Sequence, residues 1–303
     1  MNLPILDFNG YLNGDSNDQK HVSYELIKAI RTYGFVYLKN FGISNDLIKK
    51  LFDFNKQFFD KPIEYKKLVS KSMKTFCGYD GLLEEKLTNS RPGDLKESFM
   101  MKQEGTPWPS DWNDFEEFMH LFHSKSHNLA LTILRSFADG LDLDRNKFDS
   151  NFDKGECTLM RLLHYPPLPS KIETNQIRAG EHTDYGALTI LFQDSIGGLE
   201  VKTLDNQWIP APFVENTILI NVGDVMEMWT NGYLRSTPHR VVNPSDDKSF
   251  KSRYSVAFFC DPDLETEINC IEKFVNEDSP LKYGKKRYKD HLFEKYKATY
   301  VTE

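Results

Sequence analysis

The sequence predicts an α+β chain with a mainly β core: a double-stranded β-helix (jelly-roll) flanked by N-terminal helices and a C-terminal helix. Three observations predict it. Stretches of helical period dominate up to about residue 154, eight short β-rich runs at roughly ten-residue spacing follow, and helical period returns near the C-terminus. The organisation expected is an N-terminal helical and β region over 1–154, a jelly-roll core over 155–263 and a C-terminal helical extension over 264–303, packed as one structural unit. A length of 303 residues is enough for a large single core.

In the first region, "KHVSYELIKAIRTYG" places Val22, Leu26, Ile30 and Tyr33 on one helical face and stops at Gly34, before the strand-like "FVYLK". Ser44 is an expected N-cap for a helix that turns Ile48, Leu51, Phe52 and Phe59 inward and ends at Pro62. Residues 63 to about 110 read as polar and irregular. A long amphipathic helix then carries Phe115, Phe118, Phe122, Leu129, Ile133 and Phe137 and closes at Gly140.

The β-rich runs are "CTLMRLL", "ALTILFQ", "GLEVKT", "QWIPA", "TILINV", "DVMEMW", "PHRVVN" and "RYSVAFFC". Short strands so spaced argue for a double-sheet barrel. Gly197 and Gly198 read as a tight hairpin, Gly223 as a turn between strands and Trp208 as core or hairpin packing. A last helix is expected over 281–297, with Tyr288, Leu292, Phe293 and Tyr296 at helical spacing.

Composition excludes several function classes. A hydrophobic fraction of 39%, with 22 Phe and 14 Tyr, describes a folded globule. The net charge of −7, with basic residues interleaved among acids, leaves no footprint for a nucleic-acid backbone. No apolar run approaches the roughly 18 residues needed to span a bilayer, and "MNLPILDFNG" lacks a signal-peptide opening. Cys77, Cys157, Cys260 and Cys270 show no C-x-x-C pairing and read as reduced, structural thiols. A cytoplasmic protein, monomeric or weakly oligomeric, with a small-molecule substrate and neither nucleic-acid nor membrane partners is expected.

The chemistry-bearing pattern is "HTD". On a strand, His182 and Asp184 would point to the same face, where an imidazole and a carboxylate can chelate one ion. His239 follows fifty-seven positions later in "STPHRVV", and a jelly roll can bring both strands to one inner wall. Two His and one carboxylate with open positions suit non-haem Fe(II), whereas a structural zinc site wants four protein ligands. Arg253 and Ser255 in "RYS" offer a guanidinium fork and a hydroxyl to a carboxylate. A dicarboxylic 2-oxo acid could span the site from metal to Arg253. His120, His123 and His127 share a helix face, but no carboxylate completes a site there. His164 alternates away from its neighbour Tyr165 and is not taken as a ligand.

These stretches, with "NVGDVMEMWTNGYLRSTPHRVVNP" and the N-terminal "LPILDFNGYL…YGFVYLKNFGIS", give the chain a family resemblance from about residue 3 to 263. It resembles the iron and 2-oxoglutarate-dependent dioxygenases of the isopenicillin N synthase-like group. The resemblance implies His182, Asp184 and His239 as catalytic iron ligands, and Arg253 and Ser255 as the pair holding the far carboxylate of 2-oxoglutarate. Tyr165, in "RLLHYPP", matches a tyrosine used on the same co-substrate, although Leu163 stands where plant members commonly have Asn. The activity implied is oxidation of a small organic molecule, by default hydroxylation, by Fe(II), 2-oxoglutarate and O2, with release of succinate and CO2. Two alternatives stay open at this point: an Fe(II) oxidase of the same fold that does not use 2-oxoglutarate, and a catalytically silent binding scaffold. Substrate-facing residues are expected from the 63–110 stretch, where Tyr79 and Phe99 are candidates, from the outer strands and from the C-terminal helix.

Overall fold

The computed structural model describes residues 2–72, 74–85, 92–244 and 246–300. The first half runs β1 (Ile5–Asp7), α1 (Asn9–Asn13), α2 (Ser16–Tyr33), β2 (Phe35–Lys39), α3 (Asn45–Phe59), α4 (Ile63–Lys67), β3 (Gly78–Asp80), β4 (Glu97–Met101) and α5 (Asn113–Gly140). The second half opens with β5 (Leu159–Tyr165), β6 (Ala179–His182), β7 (Leu188–Gln193), β8 (Leu199–Lys202), β9 (Trp208–Pro210) and β10 (Thr217–Val222). It continues with α6 (Asp224–Trp229), β11 (His239–Val241), β12 (Arg253–Cys260), β13 (Glu267–Ile268), β14 (Lys286–Arg287) and α7 (Tyr288–Tyr300).

Two sheets make the β core. An eight-stranded sheet has the order β1-β2-β10-β7-β12-β5-β4-β3, and a four-stranded sheet the order β6-β11-β8-β9. Only the β1–β2 pair of the large sheet is parallel. The period of two divides each central strand. Val36, Leu38, Leu162, Ile218, Ile220, Val256 and Phe258 join the large core beneath the helices, while Phe35, Tyr37, Leu163, Tyr165, Leu219 and Ala257 join a second apolar cluster with Leu199, Val201 and Val241 of the small sheet. The space between the sheets is therefore lined from both.

The expected signals at Ser44 and Gly34 hold, whereas α3 ends at Phe59 and Pro62 leads into α4 instead of closing α3. Asp15 caps α2 with a complete capping box, Ser44 caps α3 through Leu47 N, and Gly34 ends α2 in the left-handed region at φ 74. Gly140 differs from the expected stop signal: it is the last residue of α5, and a Cβ there would lie 2.4 Å from Ser23 O of α2. It serves the close approach of two helices rather than a left-handed cap.

Other expectations need correction too. "DVMEMW" is not a strand but α6, because Val225, Met226, Met228 and Trp229 bury one helical face. Gly223 thus leads from β10 into a helix rather than between strands. Gly197 and Gly198 do not close a hairpin; they carry the chain from β7 in the large sheet to β8 in the small one. The 63–110 stretch is not wholly irregular, since β3 and β4 extend the large sheet beyond β5. The last helix begins only at Tyr288; Tyr288 is buried, but Phe293 is exposed.

Candidate active site

The central pair comes from the small sheet. His182 ends β6 and His239 opens β11, directly opposite in register, with ring centres 4.2 Å apart. Asp184 is not on the strand: it lies in the turn after β6, so chain reversal rather than strand alternation brings it beside His182. Gly223 permits this turn, because a Cβ there would lie 2.7 Å from Asp184 O.

Hydrogen bonds orient each group. His182 Nδ1 lies 2.7 Å from Gly180 O and His239 Nδ1 3.1 Å from Thr237 O. A carbonyl only accepts, so each Nδ1 carries a proton and each Nε2 is turned toward the cavity. Asp184 Oδ2 accepts from Thr189 Oγ1 and Asn221 Nδ2, both at 2.7 Å, which leaves Oδ1 facing His239 Nε2 at 3.7 Å. Loss of water, then the neighbouring His239, pulls His182 down to about 3. Burial alone would raise Asp184, but His239, His182 and the bonds from Asn221 and Thr189 hold it below the usual carboxylate range. A neutral His182 beside an ionised Asp184 matches the forms in which imidazole and carboxylate bind metal.

The three groups offer ligand atoms within 4.8 Å of one another, and no other set of three or more His, Cys, Asp or Glu among the described residues does so. The residues fit a metal ion: two imidazole nitrogens and one carboxylate oxygen converge on one side of the cavity, each second atom held by a hydrogen bond. By contrast, the α5 histidines His120 and His123 are occupied as structural groups. Gln103 bridges the two, and His123 Nε2 meets Thr158 O. His164 pairs with Glu97 and Ser252.

The cavity between the sheets, about 140 Å³, runs from this cluster to Arg253, Ser255 and Tyr165. Arg253 opens β12 opposite Tyr165 on β5, its guanidinium carbon 4.7 Å from the Tyr165 ring centre. Arg253 Nη1 donates to Ser255 Oγ at 3.1 Å and Nη2 to Gln193 Oε1 at 3.3 Å; Nε is buried without a partner. The fork is thus aligned for an acceptor that these neutral partners do not fully supply.

The outer end of the cavity holds residues that sequence reasoning missed. Arg161 donates two hydrogen bonds to the Glu85 carboxylate and one to Ser98 Oγ, while Lys96 Nζ lies 2.9 Å from Glu85 Oε2. Burial works against the charge on Glu85, but Arg161 and Lys96 outweigh it and hold its carboxyl well below the usual range. Tyr185, Phe259, Asp261 and Tyr296 complete this end. A lone Arg161 inside the apolar run "LMRLL" was a usable signal; Glu85 gave none. Tyr79 and Phe99 do not line the cavity: Phe99 is fully buried among Phe58, Trp108 and Phe115, and the Tyr79 hydroxyl bonds Glu97. Trp208 packs on its hairpin beneath Arg240, whose guanidinium sits 4.1 Å from its ring centre.

Known proteins share both halves of this architecture. Residues 156–262 match the 2OG-Fe(II) oxygenase superfamily, and residues 3–121 the N-terminal region described as that of a non-haem dioxygenase in morphine synthesis. A 2-oxoglutarate-Fe(II) type oxidoreductase of Metarhizium rileyi is 33% identical, the alignment covering 92% of this chain and 86% of the relative. A proline hydroxylase of Petromyces alliaceus is 32% identical over 93% of this chain and 94% of the relative. A full-length Neurospora crassa protein, crystallised in complex with alpha-KG (2-oxoglutarate) and thymine, is 35% identical, with a TM-score of 0.90 over 98% of this chain and 96% of that one. The chain therefore belongs to the 2OG-Fe(II) oxygenase superfamily, as an oxidoreductase of the isopenicillin N synthase-like group that uses Fe(II), 2-oxoglutarate and O2 to oxidise a small molecule.

Proposed function

We propose that His182, Asp184 and His239 hold the iron, that Arg253, Ser255 and Tyr165 hold the far carboxylate of 2-oxoglutarate, and that the outcome is hydroxylation with release of succinate and CO2. The observation that carries this reading is the convergence of His182 Nε2, His239 Nε2 and Asp184 Oδ1 at one end of a cavity whose other end is the Arg253 fork. Bound iron supplies the activation of O2 and the oxidation of a substrate carbon. The chain does the rest. Gly180 O and Thr237 O orient the imidazoles, Thr189 and Asn221 keep Asp184 ionised and aimed, and Arg253 with Ser255 fixes the co-substrate's direction. The apolar walls, with Phe35, Leu191, Leu199 and Val241, keep bulk water away from the reacting end.

The substrate in this reading is compact and bears no net charge where it meets the outer wall. Arg161 and Lys96 are balanced there by Glu85 and Asp94, and burial pushes Asp261 up to about 7. The rings of Tyr185 and Tyr296, edge to face at 6.2 Å, add an aromatic corner against which a flat molecule can pack. The thymine held by the Neurospora crassa relative is of that kind. A monomer or weak oligomer in the cytoplasm, without nucleic-acid or membrane partners, is the working form proposed; four buried free thiols and a net charge of −7 support it.

Adding Fe(II) and 2-oxoglutarate without oxygen tests the centre. A weak visible band of the metal–2-oxo-acid chelate is expected; iron binding without that band would sink the co-substrate assignment. Substrate-dependent succinate release across flat neutral amides, amino acids and monocarboxylates tests the outer wall, and a preference for charged substrates would overturn it.

A further inference from the structure

Arg178, the residue before β6, is fully buried and does not line the cavity. Its Nη2 donates to Pro166 O at 3.3 Å and to Lys251 O at 3.0 Å. Pro166 directly follows Tyr165, and Lys251 lies two residues before Arg253. One guanidinium thus ties together the ends of the two strands that deliver Tyr165 and Arg253.

Its other donors are unmatched. Arg178 Nε and Nη1 are buried with no partner, and Arg253 Nε is in the same condition. The two guanidinium groups stand near one ring, that of Tyr165, with carbons 6.0 Å and 4.7 Å from its centre. The nearby acid, Asp194, is already engaged by Tyr254 N and Ile196 N, and burial raises its pKa. Burial, then Arg253, pulls Arg178 down to about 10, still charged at neutral pH. Burying a second cation here without an anion is costly, and an arriving carboxylate offsets that cost. A merely structural tie between two carbonyls would need hydrogen bonds but no charge.

We propose that Arg178 is a positioning residue for the co-substrate: it holds Tyr165 and Arg253 in place and adds a second positive charge, so that the pocket selects a doubly charged 2-oxo acid over a singly charged one. The proposal rests on the reading of Arg253 as the far-carboxylate site. Two groups of unit charge separated by several ångströms inside a protein interact strongly enough for about a tenfold change in affinity.

The test uses the iron-loaded protein without oxygen and reads dissociation constants, not turnover, for 2-oxoglutarate and for its 5-amide, which lacks the far charge. In wild type, 2-oxoglutarate should bind more tightly than the amide. Arg178→Gln keeps a neutral N–H donor on the side chain but removes the charge; it should reduce that preference about tenfold, mostly by weakening 2-oxoglutarate. Arg178→Lys should retain most of the preference. Equal weakening of both ligands by Arg178→Gln, or no weakening, overturns the proposal, as does a Lys variant that has lost the preference. If Arg178→Gln does not fold, the Lys variant decides alone by the same criterion. Failure of wild type to bind 2-oxoglutarate would instead overturn the function proposed for the site.

Discussion

His182 and His239 are register partners across β6 and β11, and each presents Nε2 to the cavity because its Nδ1–H donates to a carbonyl two residues earlier in the chain. The pair is thus oriented by the chain itself. Asp184 is held in the same manner by Thr189 and Asn221.

That support is measurable apart from the ligands themselves. Asn221→Ala or Thr189→Val should weaken Fe(II) binding by roughly 10- to 100-fold, the usual effect of removing a hydrogen bond behind a metal ligand. Asp184→Ala should abolish succinate formation while the circular-dichroism spectrum stays native. Undiminished turnover in that variant would remove Asp184 from the site.

Arg253→Ala should separate the two ends of the cavity. A charged hydrogen bond to a carboxylate contributes about 1.5–3 kcal/mol, so 2-oxoglutarate should bind on the order of 10- to 100-fold more weakly. Fe(II) affinity should stay within about twofold, because Arg253 touches no ligand atom. Titration of each component separately decides between this and a structural role.

Gly34 links helix termination to the proposed metal site. It ends α2 at φ 74, and a Cβ there would fall 1.8 Å from Thr237 Oγ1, next to the carbonyl that orients His239. Gly34→Ala should cost about 2 kcal/mol or more from backbone strain and this clash. It should also weaken Fe(II) binding. A melting temperature within about one degree of wild type would show that Thr237 yields freely.

His123 supplies a pH dependence far from the site. Burial pulls it down to about 4, below the ~6.5 of an unfolded chain. Between those values only the unfolded chain takes up the proton, so stability falls as pH drops from ~6.5 to ~4, by roughly 3 kcal/mol. Asp261, pushed up to about 7, contributes the opposite slope: its stability is present below ~4 and lost as pH rises through 7. The check is therefore the difference in unfolding free energy between wild type and His123→Gln across pH 4–7. A difference that does not change with pH would show that His123 is not buried neutral.

The candidate ligand set was legible in the sequence because its signals are local or repetitive. The spacing of "HTD", the later His239 and the i, i+2 pair of Arg253 and Ser255 could all be read in one dimension, and strand periodicity turns Arg253 and Ser255 together to the cavity. Asp184 joins the cluster by a different geometry from the one expected, since the turn after β6, not a shared strand face, places it. "DVMEMW" misled because six residues fit an alternating strand and a short helix almost equally well.

By itself, then, the sequence determined the jelly-roll class, the helix cap at Ser44, and the residues that hold iron and 2-oxoglutarate in the proposed reading. Only the tertiary structure decided what stands behind and beyond them. Thr189 and Asn221 reach Asp184 across 5 and 37 residues, Glu85 reaches Arg161 across 76, and Arg178 joins the chain at Pro166 to the chain at Lys251. No local period encodes such meetings. They arise from strand order and burial, which decide which polar side chains lose water together and must therefore satisfy one another.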